Sequence, residues 1–218
     1  MAYQLTYFDM RGRAESIRIL FALADVFYVD NRVRHTDFAK LKPSLPFGQL
    51  PTLTLDNGVV LSQSSTIGRF LAKKFGFHGK DEIESAQIDE ICDCIVDHEL
   101  AYWSCFDSKL EAATQKTRLE NYMSVITPKY FSKFDQNLER KNGQYMVGES
   151  VTFADVRLVN HIEFFSEMTE TNLIADFPYL QELARNITNI PRIKKWMSQR
   201  PVSSVRKEEE EYDSFHHV

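Results

Sequence analysis

The sequence is short of what secreted, membrane-spanning and metal-stapled chains need. No apolar stretch on the order of 18 residues occurs, and no apolar segment follows a basic start, so neither a membrane span nor secretion is expected. Cysteine is scarce. Cys92, Cys94 and Cys105 are an odd number inside one expected helix, and Cys92 and Cys94 point to different faces of it. That pattern suits neither a disulfide nor a zinc knuckle, so no metal is expected and a reduced, cytoplasmic protein is. Positive charge is in deficit: 26 Lys and Arg stand against 31 Asp and Glu, for a net charge of −5. This argues against nucleic acid as the main partner. No internal repeat is present. What remains is globular in character, with 43% hydrophobic and 12% aromatic residues in 218 positions, enough for one large domain or two small ones.

The chain is organised around residues 45–75. A turn ending in Pro51 leads into a β-type run, Thr52 to Leu55. Asp56-Asn57-Gly58 reads as a hairpin turn, because Asn-Gly tolerates the positive φ angles that tight loops need. Val59 to Leu61 returns. Ser62-Gln63-Ser64-Ser65 then opens an amphipathic helix with Ile67, Phe70, Leu71 and Phe75 at helical spacing. Two features here suit ligand binding. A cis Leu50-Pro51 bond would turn the Leu50 backbone outward, leaving its N–H and C=O to pair with an extended peptide. Gln63-Ser64 lies where unpaired helix N–H groups and the positive dipole end gather, a place for a carboxylate. The competing reading is a hairpin and a capped helix with no ligand.

Before this stretch, Tyr3 to Phe8 reads as a strand, residues 13–24 as a helix with Ile17, Leu20, Phe21 and Ala24 on one face, and Phe27 to Val33 as a second strand. His35 to Leu45 is a polar loop carrying a short helix. Gly76-Phe77-His78-Gly79 is the best linker in the chain, and after it strand signals nearly vanish. Residues 82–111 read as one long amphipathic helix and 114–141 as another, with Pro128 expected to kink or break it. Asn142-Gly143 ends that segment. Tyr145 to Gly148 is a short apolar crossing before a helix that starts near Thr152, where Thr152-Phe153-Ala154-Asp155 fits a structural capping box. Helices at 177–189 and 191–200 complete the chain.

Phe47-Gly48-Gln49-Leu50-Pro51, the Asp-Asn-Gly hairpin and the Gln-Ser helix start together resemble the glutathione site of cytosolic glutathione S-transferases. The run Leu5 to Glu15, with Tyr7-Phe8-Asp9-Met10-Arg11-Gly12-Arg13-Ala14-Glu15, is similar to the sigma class in its prostaglandin-D-synthase-like branch. The resemblance covers about residues 3–205. It implies an α+β thioredoxin-like N-terminal domain at 1–77 and an all-α helical domain at 80–206 contributing the electrophile pocket; the tail at 207–218 lies outside it and, as an acidic charge block, reads as solvated and mobile. It implies a cytoplasmic detoxification enzyme, a homodimer, that uses glutathione as co-substrate.

Glutathione chemistry needs the tripeptide held and its thiol ionised, since the thiolate is the nucleophile and a free thiol near pKa ~8.5 is mostly protonated at neutral pH. The resemblance assigns this to Tyr7, whose hydroxyl would donate to sulfur, with Arg13 orienting the ligand. Lys42 would meet the glycine carboxylate, Leu50 would supply backbone pairing, Pro51 the bend, and Gln63 and Ser64 would hold the γ-glutamyl end. Asp97 would reach the γ-glutamyl amine of a neighbouring subunit. Taken singly, Tyr7 would be a core aromatic bonded locally, while Arg13 would equally be a solvated helix arginine and Asp97 one more charge on an acidic face. Two positions depart from the pattern. Phe38 stands where a tryptophan would donate an indole N–H, and phenylalanine cannot. Gln49 stands where a lysine is common. Both leave Lys42 more important.

Phe8, Trp103 and Phe106 are the candidates for an apolar electrophile pocket, and ordinary core packing is the competing fate of aromatics at helical spacing. The expected activity is conjugation of glutathione to small apolar electrophiles. The alternatives are a glutathione-dependent isomerase of the prostaglandin D synthase type, or a crystallin-like structural or ligand-carrying protein of low activity.

Overall fold

A computed structural model of the chain describes residues 3–141 and 144–201. The expected acidic tail and the Asn142-Gly143 terminator lie outside the described residues. The first half runs β1 (Gln4–Phe8), α1 (Glu15–Ala24), β2 (Val29–Val33), α2 (His35–Leu41), β3 (Thr52–Thr54), β4 (Val60–Ser62) and α3 (Ser64–Phe75). The strands form one mixed sheet in the order β2-β1-β3-β4. β1 pairs in parallel with β2, while β1–β3 and β3–β4 are antiparallel. This is a thioredoxin-like arrangement. As a central strand, β1 buries Leu5, Thr6 and Tyr7, so consecutive residues are covered on both faces. The Asn57-Gly58 turn forms as expected: Gly58 N–H donates to the Leu55 carbonyl at 3.0 Å and Val59 N–H to Asn57 Oδ1 at 3.1 Å. The second strand is shorter than expected. Phe27 precedes it and is 84% exposed.

The second half is helical: α4 (Glu82–Trp103), α5 (Ala112–Asn121), α6 (Thr127–Arg140), α7 (Phe153–Met168), α8 (Pro178–Thr188) and α9 (Pro191–Gln199). The long helix expected at 82–111 ends at Trp103. A 3-10 turn, Ser104–Phe106, follows, and Arg118 Nη1 satisfies the Ser104 carbonyl at 3.0 Å, which lets the chain turn back. Between α5 and α6 the backbone widens into a π-helical turn, Tyr122–Ile126, where Thr127 N–H reaches the Tyr122 carbonyl. Pro128 then occupies the first turn of α6. The expected interruption is therefore a widened turn that absorbs the proline's missing donor, with no full break.

α7 is the hub, burying Phe153, Val156, Leu158, Ile162 and Phe165 among others and packing on α1, α3, α4 and α8. Its capping box is formed. The Asp155 carboxylate accepts from Thr152 N–H at 2.7 Å and Thr152 Oγ1 at 2.9 Å, and also from Met146 N–H at 2.7 Å. Two contacts seat α3 against α7. Phe153 N–H donates to the Phe77 carbonyl at 2.9 Å, and a β-carbon at Gly68 would lie 2.1 Å from Phe153 Cζ, so only glycine admits that ring. Side chains from both halves share one continuous core.

Candidate active site

Tyr7 sits near the end of β1, opposite Arg32, with its side chain 6% exposed. Its hydroxyl accepts a hydrogen bond from the Arg13 backbone N–H at 3.2 Å. The turn can come that close because residue 12 is glycine: its φ is +37°, and a β-carbon there would stand 2.7 Å from Tyr7 Oη. The Arg18 guanidinium lies 5.9 Å from the Tyr7 ring centroid. A phenol oxygen that accepts one hydrogen bond still carries a proton to donate, and acceptance polarises that O–H.

The same residue that supports Tyr7 opens the binding recess. Arg13, Gln49, Leu50, Pro51, Gln63 and Ser64 line one recess, which brings together six positions scattered over 52 places in the sequence. The Leu50–Pro51 bond is cis. Gln63 Nε2 donates to Gln49 Oε1 at 3.2 Å, so the residue standing in a lysine's place is tied to the start of α3. Gln63 has φ +71°, a region costly for a non-glycine residue and concentrated at functional sites. As the N-cap of α3 it makes no side-chain capping bond. The first-turn N–H groups, the helix dipole and the Arg13 charge therefore converge on the recess, an arrangement suited to a carboxylate.

Other expected site residues sit outside the recess lining. Lys42 is exposed on a 3-10 turn, Lys42–Ser44, and its Cγ is 3.4 Å from where a Gly48 β-carbon would be, which puts it beside the loop leading to Gln49. Phe38 is half-buried on α2, edge-on to Phe8 at 5.1 Å between centroids. Asp97 is exposed on α4. The expected pocket aromatics fall into two groups. Phe8 contacts Tyr7 and Phe38 and stacks on His35 at 4.2 Å. Trp103 and Phe106 instead flank Tyr102, at 5.1 and 5.0 Å, and Phe165 of α7 joins Tyr102 and Trp103. Phe106 is on the 3-10 turn and 41% exposed.

Sequence reasoning passed over Arg18, His35, Glu99 and Phe165. Glu99 lies 3.4 Å from Arg157 and 3.6 Å from His161. Burial pushes its carboxyl up, but the His161 bond and the charges of Arg157, His161 and Arg13 outweigh burial and hold it below the usual carboxylate range. Arg18, at helical spacing from Glu15, carried a signal as an i,i+3 pair on an apolar helix face; the others carried none.

Comparison with known proteins bears on this geometry. The family model "Glutathione S-transferase, N-terminal domain" matches residues 3–73, and "Glutathione S-transferase, C-terminal domain" matches residues 97–200. The chain is 35% identical over 201 residues to glutathione S-transferase 1 of Ascaris suum, covering 91% of this chain and 97% of that protein. It is 33% identical over 211 residues to the hematopoietic prostaglandin D synthase of Homo sapiens, covering 93% and 98%. Among solved structures, a monomeric glutathione S-transferase of the hookworm Necator americanus superposes with a TM-score of 0.83 at 37% identity, over 93% of this chain and 99% of that one.

Proposed function

Because this chain belongs to the glutathione S-transferase family and is an enzyme of that kind, we propose that it binds glutathione in the recess beside Tyr7 and ionises the thiol there. Tyr7 donates its hydroxyl proton in a hydrogen bond to sulfur, which favours thiolate over thiol and lowers the thiol pKa. Arg13, Gln63, Ser64 and the first turn of α3 take the γ-glutamyl end, Leu50 pairs with the peptide backbone, and Lys42 meets the glycine carboxylate. Asp97 completes the site of a second copy in a homodimer. The observation that carries this reading is the double engagement of Arg13, whose backbone N–H holds Tyr7 Oη while the same residue lines the recess.

The thiolate then attacks a small apolar electrophile, and the groups around Phe8 and around Trp103 and Phe106 are the surfaces offered to it. An endoperoxide isomerisation is the second reading, favoured by the likeness to the human prostaglandin D synthase. We assign the chain to the sigma class, to a detoxifying role in the cytoplasm, and to two domains at 1–77 and 80–206. Isothermal titration with millimolar glutathione tests the site. Heat of binding at one site per chain is expected; its absence overturns the assignment. Turnover with an aryl halide, run beside an endoperoxide, separates the two activities.

A further inference from the structure

The turn Asp9-Met10-Arg11 connects Tyr7 and Phe8 to Gly12 and Arg13, and it is held at both ends by charge. On one side the Arg11 guanidinium pairs with Glu167 and, at 3.6 Å, with Glu163, both on α7. Glu163 also binds Arg200, at the end of α9, with Nη1 to Oε2 at 3.2 Å. Arg200 continues to Glu15 at 3.3 Å. That carboxylate is wholly buried at the start of α1, where it also accepts from Trp196 Nε1 at 2.8 Å.

From Glu15 the chain of charges returns to the turn. Glu15 pairs at 3.2 Å with Arg18, also wholly buried, whose Nη1 donates to the Met10 carbonyl at 2.6 Å. Arg18 reaches Asp30 at 3.2 Å, Asp30 pairs with Arg32 at 2.8 Å, and Arg32 with Asp9 at 3.0 Å. Cations and anions alternate along the whole path, which begins and ends within three residues. Isolated exposed pairs contribute little, but the buried members cannot lose a partner without leaving an uncompensated charge, so the path behaves as a unit. Among the described residues, Glu163 is the carboxylate that joins the turn's Arg11 to Arg200, so it closes the path on the helical side.

We infer that Glu163 is a positioning residue for thiol activation, holding the Asp9–Arg13 turn so that the Arg13 N–H stays under the Tyr7 hydroxyl. This rests on the reading of Tyr7 as the donor to glutathione sulfur. Glu163 touches neither Tyr7 nor the residues lining the recess, so its effect reaches the turn through Arg11 and, by way of Arg200, Glu15 and Arg18, through the Met10 carbonyl.

The test follows the pKa of bound glutathione by thiolate absorbance, with glutathione affinity and pH–rate profiles measured alongside. Glu163→Gln is expected to bind glutathione within about twofold of the native protein. It should raise the thiol pKa by about half a unit, which leaves roughly threefold less thiolate and threefold lower kcat below that pKa, and kcat should recover at alkaline pH. Glu163→Asp, keeping the charge, should show a smaller shift. Glu167→Gln removes the other hold on Arg11 at an exposed site and should shift the same pKa less; it also serves if Glu163→Gln is insoluble. Lowered urea stability with an unchanged thiol pKa would make Glu163 purely structural and overturn the inference. If Tyr7→Phe raises the thiol pKa while both Gln variants leave it alone, only this inference falls. If the native protein does not depress the thiol pKa at all, the Tyr7 reading falls and takes this one with it.

Discussion

Tyr7 gives its hydroxyl two tasks, accepting the Arg13 N–H and, in the proposed mechanism, donating to sulfur. Tyr7→Phe removes one oxygen and keeps the ring, so packing and glutathione affinity should survive. The thiol pKa of bound glutathione should rise toward the free value near ~8.5, and each unit of rise leaves about tenfold less thiolate below it. Turnover at pH 6.5 should fall about tenfold or more and recover as pH rises; unchanged turnover and thiol pKa would make Tyr7 a core aromatic. Phe38 is the other informative single residue. It packs edge-on to Phe8 and has nothing to donate. Phe38→Trp regains one donor, so glutathione should bind about fivefold more tightly, the equivalent of about 1 kcal/mol for one hydrogen bond. Titration of a folded variant with unaltered affinity would show that α2 does not face the glycine end.

Between α4, α6 and α7 lies a buried polar cluster that sets the element's response to acid. His98 Nε2 is hydrogen-bonded with Thr127 Oγ1 at 3.1 Å, while its Nδ1 faces Tyr122 Oη and His161 Nε2, both at 2.9 Å. Burial first, and then the His161 charge, hold His98 down to about 3, and burial likewise lowers His161. Both rings take up a proton less readily in the fold than in the unfolded chain, which does so near 6.5, so stability falls as pH drops below about 6.5. Asp155 runs the other way. Burial pushes its carboxyl to about 6, so between roughly 6 and 4 the folded chain keeps a proton that the unfolded chain releases. Two histidines outweigh one carboxylate. The urea midpoint should therefore be lower at pH 5 than at pH 7.5, and His98→Gln should flatten the dependence. A wild-type midpoint constant across that range would mean the histidines are charged or solvated in the fold.

For the molecule as a whole, the proposed site is complete only if a second chain brings its Asp97 to the γ-glutamyl amine. Asp97 is exposed on α4, well placed to be offered outward, and Phe47, two residues before Gln49, is 70% exposed. The hookworm relative described as monomeric makes the question a sharp one. Light scattering should give twice the chain mass, and Asp97→Ala should weaken glutathione binding while leaving that mass unchanged. A monomer with full activity would show that Asp97 serves only as a surface charge.

Features carried by neighbours along the chain were legible in the sequence: the Asn57-Gly58 turn, the Thr152–Asp155 cap, the apolar faces of α1 and α3, and the loss of strands after Gly79. Each depends on interactions within one helical turn or one hairpin, where residue type and spacing nearly suffice. The extents of α4 and β2 were not legible, because Ser104 through Glu111 has helical composition but ends where Arg118 caps it from another element. The site divides the same way. The motifs that named Arg13, Gln49, Leu50, Pro51, Gln63 and Ser64 were visible in the chain, and the tertiary structure gathers them into one recess. Only that structure separates Phe8 from the Trp103 group, and only it shows that Arg11, Arg18, Glu163 and Arg200 are members of one path. In a sequence, an arginine on a solvated face and one clamped, like Arg200, between the distant carboxylates of Glu15 and Glu163 look alike; distance in space, which decides their charge interactions, is set by the packing of α1, α7 and α9.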